Sequence, residues 1–275
     1  MHWEQMTIDE YAIFQRANGT KVVKINGVWW VEIRPFFFRP LLPYAAIYPK
    51  SKQYPLKSLI GGFQHVVPSG VAANSLINFF FFDELQGYSL NKLSDKRKNA
   101  IRKGLKNFSV KRIDDVTEFI NDAYDIYVAF YNRTKYSYQK KRLNRIFFSS
   151  WAATLFEHPK ILIIGAYHDN KLSAVTISYL VEEVIFYATF FSDTQSQKLQ
   201  VTDFIIHIIR ESAASSNAKY IFMGMPSGKR SLDESKTMRG CKLLKMPAYY
   251  RINPIALFVA RVFMKNSYNK LIGLT

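Results

Sequence analysis

Residues 93–107, LSDKRKNAIRKGLKN, hold six cations and one acid. A surface helix usually mixes signs, so a stretch this one-sided is either an ordinary solvated face or one that meets a polyanion. At ~100° per residue, Ile101, Leu105 and Phe108 fall within ~60° of one another, with Ser94 placed as N-cap. Lys98, Arg102 and Lys106 run beside that apolar face, and Lys96 and Lys103 lie opposite. Arg97 differs, because it sits one turn before Ile101 and only ~40° from it, on the side that packs. There it must either snorkel out or meet an anion in a cleft. The guanidinium fork fits phosphate or carboxylate, so Arg97, with Arg102 beside it, is expected to hold an anionic substrate.

Other spacings offer chemistry of their own. Asp203 and His207, four apart, make either an acid/base pair or a routine exposed helix pair, and the exposed pair is the expectation. MPSGKRS, residues 225–231, has the Gly-Lys of a phosphate loop but lacks the first glycine at the required spacing, so a plain basic loop is expected. YNRTKYSYQKKRLNR, residues 131–145, interleaves tyrosines with cations. That pattern suits single-stranded RNA or a nucleotide-linked sugar, and equally an exposed junction between two helices. The five histidines are scattered with no His-x-x-x-His pair, and no metal site is expected.

The elements that must position these groups are read from composition and pattern. The chain has 275 residues, 48% hydrophobic and 16% aromatic, enough for one large or two small globular domains. A formal charge of +17 leaves nucleic acid, nucleotide-linked substrates and anionic membrane surfaces as partners. Cys241 is the only cysteine, which excludes an internal disulfide and fits a reducing compartment. The stretch MHWEQMTIDEY carries acids and no long apolar core, so no secretory signal is expected. IALFVARVFM, which includes Arg261, is well short of the ~20 residues that span a bilayer. It reads as a helix packed on the domain, with a place on a membrane surface as the alternative.

Residues 1–60 hold short strand-like pieces broken by Pro35, Pro40, Pro43, Pro49 and Pro55. SLINFFFFDEL reads as a buried strand ahead of the basic helix. Residues 116–133 and 141–158 repeat apolar side chains at helical spacing. From 160 to 192, turns at His168–Asn170 and at Glu182–Glu183 separate three strands, which predicts an antiparallel meander feeding a helix that starts near Gln200. A strand at KYIFMGM, a loop to about Lys236, a strand at LLKMPAYYRI and a helix after Pro254 follow.

This order resembles the core of the GNAT acyltransferase superfamily, and more narrowly its FemABX-like branch. The carrying stretches are YSLNKLSDKRKNAIRKGLKN (88–107), GAYHDNKLSAVTISYLVEEVIFYATFFSD (165–193) and ESKTMRGC (234–241) followed by YYRINP. The resemblance implies an α/β fold with a mixed, mainly antiparallel sheet flanked by helices. It implies a GNAT-like domain over 88–275 after a strand-rich, incomplete acyltransferase-like half over 1–87. It further implies a transferase moving an acyl or aminoacyl group onto an amine of a cell-envelope glycan or peptidoglycan precursor. Such a protein is cytoplasmic, free or on the inner face of the membrane. A non-catalytic RNA- or tRNA-binding module and an acetyl-CoA-dependent N-acetyltransferase are the alternatives.

Within that resemblance, Lys236 matches the lysine placed by the reaction centre, although the usual preceding Phe is Ser235; a solvated loop lysine is its other reading. Tyr187, and Tyr249 or Tyr250, could supply a phenol or simply pack. Asp193, at the end of the central strand, either orients an acceptor amine or caps the next turn. Acetyl-CoA-using members carry a glycine-rich turn before the central helix, where backbone N–H groups meet pyrophosphate. Here the turn is SDTQSQKLQVTD, without glycine. Weak CoA binding and no bound cofactor are expected, with the donor left between aminoacyl-tRNA and acyl-CoA.

Overall fold

The computed structural model describes residues 1–50, 53–134, 139–264 and 268–269. Part of the Tyr-and-cation motif, residues 135–138, lies outside them. The chain begins with β1 (Gln5–Met6), α1 (Ile8–Ala17), β2 (Val22–Ile25), β3 (Val28–Arg34), β4 (Phe37–Pro40), β5 (Gly62–Val66) and β6 (Ser75–Phe82). Next come α2 (Asp95–Asn107), β7 (Ser109–Arg112), α3 (Val116–Thr134), α4 (Arg145–Phe156), β8 (Leu162–His168), β9 (Lys171–Val181) and β10 (Val184–Ser192). The last elements are α5 (Thr194–Lys198), α6 (Val201–Ala214), β11 (Tyr220–Phe222), α7 (Arg230–Met238), β12 (Lys242–Ile252) and α8 (Pro254–Phe263).

Contacts divide the chain into two units. One comprises Met1–Thr7 and Phe82–Met223, the other Ile8–Phe81 and Gly224–Thr275. A linear boundary near residue 88 does not express this division, because β12 returns to pair with β5 on one side and β6 on the other.

In the first unit the strand order is β11-β10-β9-β8-β7, with β1 parallel to the end of β9. The expected meander is present: β8, β9 and β10 pair antiparallel in sequence. Its first turn places Asp169 and Asn170 at φ 49° and 61°, and its second places Glu182 at φ 51°. Asp and Asn tolerate this left-handed region, and two such residues in succession match the twist of a tight hairpin. Phe119 of α3 stacks on Phe148 of α4 with centroids 5.6 Å apart, and Tyr127 meets Phe191 of β10 at 5.4 Å. The two amphipathic helices are thus held to one another and to the sheet by rings.

Helix α6 is the crossover between the parallel strands β10 and β11, and it carries Asp203, His207 and Arg210 into the interior. The expectation of an exposed Asp203–His207 pair is corrected, since both side chains are buried. Arg97 is corrected with it. Its phase is right, but the anion it meets is Asp203 Oδ1 at 2.8 Å, within the protein. The Tyr88 hydroxyl lies 2.8 Å from His207 Nδ1, and Arg210 lies over the rings of Tyr88 and Phe82 at 4.0 and 4.3 Å. Burial holds His207 below its ordinary pKa and pushes the Tyr88 phenol up to about 12.

The crossing of α2 on α6 also departs from the helical-face reading. Leu105 is exposed and Gly104 is buried in its place. A Cβ at Gly104 would lie 2.6 Å from Phe204 Cβ and 3.2 Å from Gln200 O, so only glycine permits the approach. Lys96, Arg102, Lys103 and Lys106 face solvent.

In the second unit the order is β2-β3-β4-β5-β12-β6, antiparallel except for β4 beside β5. Trp30, Phe38 and Phe63 form its buried cluster, edged by Tyr54 and Tyr249. Asp9 of α1 accepts from Trp29 Nε1 at 2.5 Å and from Lys24 Nζ at 2.7 Å, which ties to the strands a helix that the Pro-rich reading did not anticipate.

Two stability predictions follow from the α2–α6 crossing. Gly104→Ala gains helix propensity of about 1 kcal/mol but overfills the contact by about 1–3 kcal/mol, so calorimetry should record a lower Tm. An unchanged or raised Tm would show that Phe204 yields freely. Arg97→Met should cost about 3 kcal/mol by removing the cation paired with the buried Asp203 carboxylate, and Arg97→Met with Asp203→Leu should recover much of that loss. Additive losses in the double variant would contradict a paired interaction.

Candidate functional site

Strand β10 has two neighbours at its start and one at its end. β11 follows it in parallel only through Val184↔Tyr220 to Phe186↔Phe222. From Tyr187 onward, β9 is its neighbour in this unit, and the β9–β10 register shifts between Tyr187 and Thr189. Such a bulge bends a strand and re-aims its side chains. Tyr187 is half-buried with its ring 6.2 Å from that of Phe190, while Ala188 is exposed.

At the end of β10, Asp193 accepts from Ser196 N through Oδ1 and from Ser196 Oγ through Oδ2, each at 2.7 Å. Both oxygens serve the N-cap of α5, the capping arrangement anticipated as one of its two readings. Arg133, part of the Tyr-and-cation motif but not singled out within it, donates to Ser192 O at 3.0 Å and to Thr194 Oγ1 at 3.1 Å. Burial lowers its pKa, and the Asp193 carboxylate pulls it back. Its position in the last turn of α3, within the Tyr-and-cation motif, was the available signal. The glycine-free turn folds as α5 and then enters α6 through Gln200 in a left-handed conformation, φ 70°.

In the second unit Lys236 stands in the last turn of α7, a helix where a loop was expected. None of the residues of α7 is buried, so no apolar periodicity announced it. It is held instead by Asp233, which accepts from Ser227 N at 2.9 Å, and by the Arg230–Glu234 pair at 2.6 Å. The Lys236 ammonium lies 4.8 Å from the Phe80 ring centroid and donates to Met225 O at 3.4 Å. It is therefore half-buried and oriented by a ring and a carbonyl rather than solvated on a loop. Beside it Phe80, Pro226, Asp233, Thr237, Met238 and Leu243 line a cavity of about 580 Å³. The MPSGKRS segment runs into α7 with Gly224 and Gly228 at φ 88° and 78°. It connects β11 to a polar helix and has no phosphate-loop geometry.

A second cation touches the same segment. Arg39 of β4 donates to Gln64 Oε1 at 2.6 Å and lies 3.1 Å from Met225 Sδ, and burial lowers its pKa to about 10. An arginine inside the apolar run FFFRPLL was its sequence signal. Tyr249 packs its ring 6.1 Å from Phe63 and lines, with Lys50, Tyr54 and Arg251, another cavity of about 340 Å³. Of the residues singled out from sequence, Tyr187, Asp193, Arg97 and Arg102 belong to the first unit, and Lys236 and Tyr249 to the second. Among the described residues no cluster of His, Cys, Asp and Glu is arranged to hold a metal ion.

No protein-family profile matches the sequence, and no curated protein matches it. Solved structures do. The C-terminal domain of a putative lysylphosphatidylglycerol synthetase from Agrobacterium fabrum aligns with a TM-score of 0.63 at 11% identity, over 96% of this chain and 93% of that one. FemX aligns with a TM-score of 0.62 at 9% identity, over 92% of each chain. L-PGS from Bacillus licheniformis aligns with a TM-score of 0.58 at 11% identity, over 91% of this chain and 89% of that one. At such identities the likeness is one of fold: the chain shares with FemX a mixed, mainly antiparallel α/β fold, the fold class that the resemblance implied.

Proposed function

We propose that the protein is an acyltransferase that moves an aminoacyl group from aminoacyl-tRNA onto an amine of an anionic envelope molecule, a glycan or peptidoglycan precursor. The observation that carries this reading is a fold shared with FemX and with lysylphosphatidylglycerol synthetase domains over about nine-tenths of the chain. The turn after β10 supports the choice of donor. It offers no glycine for close backbone approach to a pyrophosphate, and the carboxylate at its start disfavours phosphate. The exposed cations of α2 are available to a nucleic-acid backbone or an anionic precursor.

In such a reaction the acceptor amine attacks the ester carbonyl, forming the C–N bond and a tetrahedral oxyanion. Collapse breaks the ester C–O bond, and the nitrogen's proton passes to the departing hydroxyl. Lys236 is assigned as the cation facing the oxyanion. Its orientation by Phe80 and Met225 would limit the rearrangement needed as charge develops. Tyr187 is retained as a phenol candidate, and Asp193 as the cap of α5.

Mass-spectrometric screening of aminoacyl-tRNA and acyl-CoA donors against envelope precursors tests the reading. Transfer from the ester donors supports it, and salt-sensitive RNA binding without transfer would replace it with a binding module. In the active system, Lys236→Met should lower turnover by ~10² to 10³ with a smaller change in substrate affinity. A folded variant with near wild-type turnover would remove Lys236 from the mechanism.

A further inference from the structure

Helix α8 has an apolar composition and an exposed position. None of its residues is buried, with Ile255 75% and Phe263 77% exposed. It leans on its unit through half-buried Ala256, Leu257 and Ala260. At ~100° per residue, Ile255, Phe258, Val259, Val262 and Phe263 fall within a single outward stripe ~140° wide. The segment therefore packs on its unit along one face only, and the larger apolar side chains point away from it.

A second apolar element adjoins it. In the short turn Leu56–Leu59 the side chains of Leu56 and Leu59 are exposed, as is the following Ile60, with Leu56 at 84% and only Ser58 of the turn buried. Asn253, the N-cap of α8, donates its backbone N–H to Gly61 O at 2.8 Å, which fixes the helix start beside this turn. Large side chains left in water on two adjoining elements mark an interaction surface rather than scattered exposure.

The charge around this surface is mainly positive, and the acid nearest the turn, Glu32, is engaged with Phe36 N and Lys21. Residues 33–82 hold five Lys or Arg and residues 235–275 hold eight, and neither stretch contains an Asp or Glu. Lys57 lies on the turn and Arg261 on α8, while Lys50 and Arg251 line the cavity of about 340 Å³ that Leu56 and Leu59 also border. A second copy seated face to face would bring like charges together. RNA would neutralise the cations but leave the aliphatic stripe in water. An anionic bilayer accepts both, with the stripe at the acyl boundary and the cations among the headgroups. At ten residues α8 fits lying in the interface, and no helix among the described residues is long and apolar enough to cross a membrane.

We infer that the outward face of α8 and the Leu56–Ile60 turn form a docking surface for an anionic lipid bilayer. The inference does not rest on the transfer reaction, and its test uses no donor or acceptor. Flotation of the full chain with vesicles of phosphatidylcholine containing about 30% phosphatidylglycerol should show at least about tenfold stronger partitioning than with phosphatidylcholine alone, weakening with salt. Phe258→Ser with Phe263→Ser, and separately Leu56→Ser with Leu59→Ser, should each reduce partitioning at least about tenfold. These side chains are exposed, so an unchanged Tm is the control for folding. No partitioning by the wild type, or partitioning that both pairs leave intact, overturns the inference. So does a dimer in light scattering that either pair dissolves, because the face would then join two copies.

Discussion

The seating of α6 under α2 is the constraint from which the rest of the first unit follows. α6 connects two parallel strands, so its position sets where β11 lies against β10. It can lie close to α2 only because residue 104 has no Cβ, and the carboxylate it buries there is paired with Arg97. With the helix fixed, β11 pairs over three positions, and the remainder of β10 carries a bulge and the Asp193 turn. The cations that look most like a ligand site in the sequence divide accordingly. Arg97 is consumed in holding the scaffold, whereas Arg102 and its exposed neighbours remain available to solvent partners.

The turn after β10 is the feature on which the proposed choice of substrate carrier rests. A strand leading through glycines into a helix can bring backbone N–H groups against a pyrophosphate. Here the path is occupied by α5, whose Ser196 N–H and hydroxyl are served by Asp193, and by Gln200, whose backbone takes the left-handed conformation without being glycine. Within the second unit one loop residue orients two cations, Met225 meeting Arg39 at its sulfur and Lys236 at its carbonyl.

The parts legible in the sequence are those set by local rules. The meander was readable because Asp169, Asn170 and Glu182 are turn residues between alternating apolar runs, and α3 and α4 because their periodicity is strong. α7 was not readable, since polar capping and an i,i+4 pair hold it and no apolar face does. The phase of Arg97 was correct while its partner was invisible, being 106 positions away. Leu105 and Gly104 exchanged roles because close helix crossing favours the small residue over the apolar one. α8 inverted the rule that apolar means buried. The division into units escaped a linear reading because β12 returns from the far end of the chain to pair with β5 and β6.

The central claim is that the acyl group arrives on a nucleic-acid ester and not on CoA, and matched donors test it most directly. The same aminoacyl group is offered as its tRNA ester and as its CoA thioester, and kcat/KM is measured for each with one acceptor. The account predicts a preference for the ester of at least about 10²-fold, or roughly 3 kcal/mol of transition-state discrimination. Equal use of the two donors, or preference for the thioester, would contradict it.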